Sequence, residues 1–161
     1  MVQRPGGADF APSAWVFPGG TVTEEDRTFD DELRAAAMRE LFEETGIQLA
    51  SGEELLLFAR WVTPAQVRRR YDARFYLARL PDGQTVTPQE GEVVDWRWVS
   101  PAAALNDPDF TLVYATRAVL ESVADAADVE SLLAWARDVK DVAPIEPRFV
   151  QTEAGWEIVR D

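Results

Sequence analysis

The chain has 161 residues and a mass of 18.0 kDa, a size typical of one globular domain, so we expect residues 1–161 to form a single domain. Because it contains no cysteine and no histidine, it excludes disulfide bonds, thiolate chemistry, histidine-bound zinc and an imidazole base. The net charge of -13 opposes general affinity for nucleic acid or anionic membranes, so a polyanionic ligand would need a metal ion to mediate binding.

The first predicted elements surround a glycine turn. A strand is expected over 14–17, where aromatic and β-branched residues occur, and it stops at Pro18-Gly19-Gly20. Successive glycines allow a tight turn and a close approach of the backbone to a ligand. A polar loop over 21–29 leads to the clearest helix of the sequence, with Asp30 as its N-cap, Glu44 near its end and Gly46 placed to terminate it.

The rest of the chain is predicted to form short strands and helices. Further strands are expected over 54–62, 70–80, 93–99, 145–150 and 156–159, the last two as a closing hairpin. Helices are expected to begin at Ser100-Pro101 and to cover 114–124 and 129–139. This order is mixed α/β and lacks the strict alternation of a parallel doubly wound sheet.

The first helix places carboxylates where packing would favour aliphatic side chains. At about 100° per residue, its apolar stripe is formed by Leu33, Ala36, Ala37 and Leu41. Glu40 and Glu44 fall within this stripe, and Glu43 lies at its margin. Converging carboxylates repel one another unless a cation neutralises them, which favours an oxygen-preferring metal ion. The alternative is a solvated face on which Arg39 pairs with Glu43.

Adding the glycine turn makes the pattern specific. The turn is followed by Arg39-Glu40-Leu41-Phe42-Glu43-Glu44-Thr45-Gly46-Ile47, which resembles the signature of the Nudix hydrolases. That signature is Gly, five residues, Glu, seven residues, then Arg-Glu-aliphatic-any-Glu-Glu-any-Gly-aliphatic. The second half matches at every fixed position. In the first half Gly20 precedes Arg39 by nineteen positions instead of fourteen, and we assign Asp31 to the place of the first glutamate.

The resemblance implies a fold, a reaction and a metal. It implies the Nudix fold, with a mixed β-sheet sandwiched between α-helices, and hydrolysis of a diphosphate linked to another group. Mg²⁺ or Mn²⁺ is expected as cofactor, bound by Glu40, Glu43, Glu44 and the Gly19 carbonyl. The metal would neutralise phosphate charge and lower the pKa of a bound water.

The catalytic roles also follow from the resemblance. Glu43 or Glu44 is the expected general base, and Arg39 is expected to orient the glutamates by ion pairing. Glu90 and Glu92, which precede the strand predicted over 93–99, are alternative candidates for the base or a ligand. Glutamates in such a turn are more often simply solvated.

Substrate recognition is less specific in the sequence. A lengthened loop after the glycine turn is similar to the branch that includes peroxisomal-type coenzyme A diphosphatases, so coenzyme A or an acyl derivative is the leading substrate. The predicted substrate-binding residues are Gly20, Arg69, Arg70 and Arg74, because arginine forks suit a distal phosphate. A solvated strand edge explains these arginines equally well. Phe75, Tyr76, Trp96 and Trp98 are candidates for stacking on a base, although strand aromatics usually pack in cores.

Other functions stay open at this point. ADP-ribose, nucleotide sugars and dinucleoside polyphosphates are alternative substrates. A catalytically silent Nudix module for nucleotide sensing or protein binding is the alternative outside enzymes. The expected partner is a small-molecule diphosphate, and neither nucleic acid nor a membrane is expected.

The N-terminus departs from the family pattern. A complete strand normally precedes the glycine turn, and here only residues 1–4 stand where that strand should end, so the first strand is predicted to be truncated. An unpaired edge would favour a homodimer. No signal-peptide-like stretch is present, and the longest apolar run, 55–59, is too short to cross a bilayer. A cytoplasmic location is therefore expected.

Overall fold

The computed structural model describes residues 1–152 and 155–160. The strands are β1 (Val2–Gln3), β2 (Trp15–Val16), β3 (Leu56–Val62), β4 (Asp72–Leu77), β5 (Asp95–Trp96), β6 (Arg148–Thr152) and β7 (Gly155–Val159). The helices are α1 (Glu32–Thr45), α2 (Pro101–Asn106), α3 (Tyr114–Val123) and α4 (Val129–Asp138). Short 3₁₀ turns cover Asp26–Thr28 and Gly52–Glu54.

In the described residues the strands form three small antiparallel sheets, two of which also pair through single parallel bridges with residues outside the strands. The first has the order β2-β1-β5, the second pairs β3 with β4, and the third is the hairpin of β6 and β7. Single parallel bridges join Trp15 to Leu112 and Trp61 to Ile145. The architecture therefore combines both strand directions with helices, which confirms the mixed α/β class.

The core holds the glycine turn in place through the residue that precedes it. One buried cluster contains Trp15, Ala104, Phe110 and Leu120, and a second contains Ala59, Trp61, Ala118 and Val119. Phe17 packs against both clusters, and its ring meets that of Phe75 edge to face at 6.1 Å. Because Phe17 is fixed between the two clusters, the turn at Pro18-Gly19-Gly20 starts from a rigid point.

Several predicted boundaries are wrong, and local hydrogen bonds explain them. The N-cap of α1 is Asp31 and not Asp30, since the Asp31 side chain accepts a hydrogen bond from the Arg34 backbone N–H. Gly46 ends the helix in the left-handed conformation, at φ 71°, as predicted. Residues 52–54 form a 3₁₀ turn with a capping box from Ser51, so β3 begins later than expected.

The later strands are shorter than predicted. The strand expected over 70–80 is β4, and the one expected over 93–99 is reduced to β5. The Val93 N–H donates to the Gln89 carbonyl in a turn, which delays the start of β5. The C-terminal hairpin is present, with its joining residues 153–154 outside the described part of the chain, as is residue 161 of the predicted domain.

The first strand is paired on both sides. Val2 lies opposite Val16 of β2 and opposite Trp96 of β5. The predicted open edge is therefore not at β1, and a homodimer stays a prediction. Within the described residues, no helix is both long and apolar enough to cross a membrane.

Candidate active site

The Arg39 guanidinium joins the loop after the glycine turn to the glutamates of α1. Its Nε and Nη2 donate to the Asp26 carboxylate at 3.1 and 3.0 Å, and Nη2 also donates to the Thr21 carbonyl at 3.0 Å. Its Nη1 lies 2.7 Å from Glu43 Oε2 and 3.0 Å from Glu40 Oε1. One planar group therefore fixes the loop and two carboxylates relative to each other, which a lysine ammonium could not do.

Asp26 is a buried, permanently charged partner for Arg39. Its relative exposure is 2%, and its Oδ2 also accepts hydrogen bonds from the Thr23 N–H and hydroxyl at 2.8 and 2.9 Å. The hydrogen bonds from Arg39 are the main reason that the pKa of Asp26 falls to about 2. A buried carboxylate with this many donors stays ionised at every physiological pH.

Asp26, and not Asp31, holds the place of the motif's first glutamate. Asp31 caps α1 and pairs with Arg34 at 2.9 Å, away from Arg39. Asp26 follows Gly20 by six positions, which is the spacing of the motif's first half. The signal was therefore in the sequence, and the five extra residues lie between Asp26 and Arg39. The aspartate reaches the arginine although its side chain is one methylene shorter than glutamate.

Glu44 and Glu40 lie against the glycine turn. Glu44 is 7% exposed and its Oε2 accepts a hydrogen bond from the Gly19 N–H at 3.0 Å. Burial raises the pKa of Glu44 to about 7, and burial also raises that of Glu40. A Cβ on Gly20 would fall on the Glu40 carboxylate, so only glycine admits this approach. The structure therefore brings together four predicted site residues: Gly19 contacts Glu44, and Gly20 contacts Glu40.

Glu43 differs from the other two glutamates. Its side chain is 45% exposed and is held by Arg39. Across 1–152 and 155–160, no group of three acidic side chains is gathered as a metal-binding cluster. The pair Glu40 and Glu44 nevertheless fits an oxygen-preferring divalent cation. Glu44 is buried, Glu40 is partly buried, and burial raises the pKa of both, so a bound cation would relieve this cost.

A downstream loop lies along the end of α1. The Thr87 N–H donates to the Thr45 carbonyl at 2.7 Å, and the Gln89 N–H lies 3.4 Å from the Glu44 carbonyl. In this loop the negative charge of Glu92 contributes to the raised pKa of both Glu40 and Glu44. The charge of Glu92 therefore acts on the site, although its side chain is exposed like that of Glu90.

The predicted substrate arginines have different environments. Arg70 pairs with Glu146 and donates to the Thr63 carbonyl, and Arg74 lies 3.1 Å from Asp72. Arg69 instead lies over the Tyr71 ring, 5.7 Å from its centroid. Two of the three guanidiniums are thus already neutralised by acidic neighbours.

The predicted stacking aromatics also separate into two groups. Phe75 packs edge to face on Phe17, and Tyr76 lies 5.9 Å from the Arg34 guanidinium carbon, so both contribute to packing. Trp96 is half-buried in β5, whereas Trp98 is 64% exposed. Packing therefore accounts for Phe75 and Tyr76.

The fold and the motif helix define a family. The NUDIX domain model matches residues 1–120, which is most of the chain. The chain belongs to the Nudix family.

Individual relatives agree with this assignment. The chain is 28% identical over 141 residues to a Caenorhabditis elegans protein provisionally named nudix hydrolase 7, which covers 66% of this chain and 48% of that protein. It is 30% identical over 128 residues to the RNA pyrophosphohydrolase of Dinoroseobacter shibae, covering 70% of this chain and 74% of that protein. The chain spans about half the length of the C. elegans relative.

A solved structure confirms the fold. The crystal structure of a NUDIX hydrolase from Alicyclobacillus acidocaldarius aligns with a TM-score of 0.69 and 22% identity. The alignment covers 83% of this chain and 86% of that chain.

Replacing Asp26 tests the buried pair. Asp26→Asn should lower the free energy of unfolding at pH 7 by ~2 kcal/mol, because it removes the buried partner of the partly buried Arg39 guanidinium, which keeps Glu40 and Glu43. The native pKa of about 2 lies below the ordinary 3.8, so the Asp26 contribution to stability is present above pH 4 and is lost as pH falls toward 2. Urea unfolding of both proteins across this range should show the difference shrinking at low pH.

The matched control is Asp31→Asn, at the start of the same helix. Asparagine caps helices as well as aspartate does, so this change should cost less than ~1 kcal/mol. Equal stability losses for the two variants at pH 7 would contradict the role given to Asp26.

Proposed function

We propose that the chain hydrolyses the diphosphate linkage of a nucleoside-diphosphate derivative, with a divalent metal ion as cofactor. The observation that carries the proposal is a pair of carboxylates set against a glycine turn, with Glu44 buried and the Glu40 side chain only 14% exposed. Two adjacent carboxylates so shielded from water are costly to fold, and a cation bound between them and a ligand would offset that cost. The names of the two relatives, both hydrolases, support the same chemistry.

The metal is proposed to be held by residues of the motif helix and the turn. Nudix hydrolases generally use divalent metal ions. Glu40 and Glu44 are the proposed principal ligands, with the Gly19 carbonyl and Glu43 completing the set for Mg²⁺ or Mn²⁺. When bound, the metal would neutralise phosphate charge and make an attacking water more acidic.

The chain's own residues would supply the proton transfer and the positioning. Glu44 would accept the proton of the attacking water. Its pKa of about 7 applies without a cation beside it, and a bound metal ion would lower that pKa. Glu43 is the alternative base. Glu92 is a further candidate, because its charge raises the pKa of Glu40. Arg39 would keep Glu40 and Glu43 oriented throughout turnover, because Asp26 and the Thr21 carbonyl hold its guanidinium in place.

Coenzyme A or an acyl derivative is the substrate we propose first. Its 3'-phosphate needs a distal cationic group, and of the three predicted arginines Arg69 is the one without an acidic partner in the described residues. Arg70 and Arg74 pair with Glu146 and Asp72, whereas in the described ranges Arg69 has no carboxylate partner. ADP-ribose, nucleotide sugars and dinucleoside polyphosphates share the diphosphate and are the alternatives within this chemistry.

A diphosphate at the end of an RNA is the second candidate. It is favoured by 30% identity to a protein named RNA pyrophosphohydrolase. The net charge of -13 opposes binding of a long polyanion, so the structure favours a small substrate. A catalytically silent module is disfavoured by the intact glutamates.

Removing the charge of Glu44 tests the metal-dependent hydrolysis. Wild-type protein should hydrolyse at least one member of a panel of coenzyme A, ADP-ribose, dinucleoside polyphosphates and diphosphate-ended RNA, with Mg²⁺ or Mn²⁺ but not with EDTA. Glu44→Gln keeps the shape and the acceptor for the Gly19 N–H, and should lower kcat at least ~100-fold.

The control for this experiment is Glu53→Gln, an exposed glutamate in the 3₁₀ turn before β3. It should keep the wild-type rate. Turnover by Glu44→Gln at saturating metal that matches the wild type would overturn the assignment of Glu44, and an inactive wild type on the whole panel would favour the silent module.

A comparison of two substrates tests coenzyme A recognition. Arg69→Ala should lower kcat/KM for coenzyme A by ~10- to 100-fold, the scale of a charge-assisted hydrogen bond, and leave dephospho-coenzyme A nearly unchanged. Arg79→Ala, which removes an exposed arginine paired with Glu130, is the matched control. Equal losses for the two substrates on Arg69→Ala would defeat the coenzyme A proposal and leave the hydrolase proposal intact.

A further inference from the structure

The N-terminal loop, residues 5–13, connects β1 to β2 and carries backbone strain. Ala11 and Ser13 adopt left-handed backbone conformations, with φ of 48° and 61°. Residues with a Cβ rarely adopt such angles, and they persist only where the surrounding structure imposes them. Two of them in one short loop indicate that the loop is held in a specific shape.

Arg4 makes hydrogen bonds to this loop and to the residue that follows it, and the terminal nitrogens of its guanidinium remain available to a ligand. Its backbone N–H donates to the Ala14 carbonyl at 3.0 Å, and its Nε donates to the Phe10 carbonyl at 3.0 Å. Its terminal amino groups make no hydrogen bond with any residue in the described ranges. The side of the guanidinium that best matches a phosphate in fork geometry is therefore available.

The sheet places Arg4 next to the acidic site. Gln3, the preceding residue, pairs with Asp95 of β5 and accepts a hydrogen bond from the Val94 N–H at 3.0 Å. Val94 is two residues from Glu92, in the segment that continues from the loop along α1. Ala14, which accepts the hydrogen bond from the Arg4 N–H, lies directly before β2, the strand that leads into the glycine turn.

The same loop presents an aromatic ring at its other end. Phe10 is 48% exposed, and its ring meets that of Tyr71 at 5.8 Å with an interplanar angle of 60°. The Arg69 guanidinium lies over the ring of Tyr71. Arg4, Phe10, Tyr71 and Arg69 are thus linked by successive contacts.

We propose that Phe10 and Tyr71 form the subsite for the nucleobase of the substrate, and that Arg4 binds the adjoining phosphate. This inference rests on the proposed function and deepens it by naming the residues that would bind the base and the phosphate next to it. Bases stack on exposed aromatic side chains, and guanidiniums bind phosphates through paired hydrogen bonds. The strained N-terminal loop then determines specificity, because it fixes the ring relative to the phosphate-binding arginine.

Binding of two ligands without a diphosphate tests the subsite independently of turnover. AMP has the base and one phosphate, and ribose 5-phosphate lacks the base. Isothermal titration in the presence of Mg²⁺ should show that wild-type protein binds AMP more tightly. Phe10→Leu should raise the Kd for AMP about tenfold and leave that for ribose 5-phosphate unchanged, whereas Phe10→Trp should keep the wild-type affinity. Arg4→Gln should weaken both ligands.

Trp156→Ala removes an exposed aromatic ring from the C-terminal hairpin and is the control, with no change expected for either ligand. AMP affinity equal to that of ribose 5-phosphate in the wild type, or equal losses of both on Phe10→Leu, would overturn the subsite. If the expected binding pattern appears in a protein that hydrolyses no diphosphate, the proposed function fails and the subsite stands. If the protein hydrolyses a diphosphate but lacks the binding pattern, the subsite fails and the proposed function stands.

Discussion

The ion pair between Arg39 and Asp26 is the contact on which the geometry of the candidate site depends. It connects the lengthened loop after the glycine turn to the middle of α1, in addition to the ion pair between Arg27 and Glu32 at the start of that helix. The aspartate is almost fully buried, and an isolated buried charge would be strongly destabilising. The pair is tolerated because Asp26 accepts hydrogen bonds from both Arg39 and Thr23. The five additional residues of the loop can therefore be accommodated without moving the arginine.

Glu40 and Glu44 differ from the ion pair, because their burial costs electrostatic free energy that a bound ligand would offset. Glu44 is buried with the Gly19 N–H as its hydrogen-bond donor, and Glu40 lies so close to Gly20 that a Cβ there would displace its carboxylate. Burial raises both pKa values, so without a cation the site carries an electrostatic cost. A bound cation would remove that cost, which links the stability of this region to the proposed cofactor. Glu43 is exposed and forms an ion pair with Arg39. To bind a metal ion, its carboxylate must either break this ion pair or contact the metal and Arg39 at the same time.

The sequence predicted the parts of the site that local spacing determines. Arg39, Glu40, Glu43 and Glu44 stand at fixed positions on one helix, and helix periodicity alone puts two of the glutamates in the apolar stripe. Asp26 was missed because the extra loop residues were placed after Gly20, although counting six positions from that glycine finds it. Arg4 and Phe10 could not be found this way, because only the pairing of β1 with β5 and the shape of the N-terminal loop bring them near the site.

Strand lengths were the weakest part of the prediction. Composition predicted β5 as a seven-residue strand over 93–99, but a turn at Gln89 and Val93 limits it to two residues. Tertiary hydrogen bonds decide such boundaries, and single-strand composition does not contain them. The ion pairs of Arg70 and Arg74 also depend on the tertiary structure. Arg70 pairs with Glu146 on another segment, and Arg74 pairs with Asp72 within β4.

The central claim is that the motif helix and the glycine turn together hold a divalent cation. The most direct measurement is anomalous diffraction from crystals of the protein soaked in Mn²⁺. We expect an anomalous peak between Glu40, Glu44 and the Gly19 backbone, and no peak there in crystals of Glu44→Gln. Manganese density confined to other parts of the molecule in wild-type crystals would contradict the account.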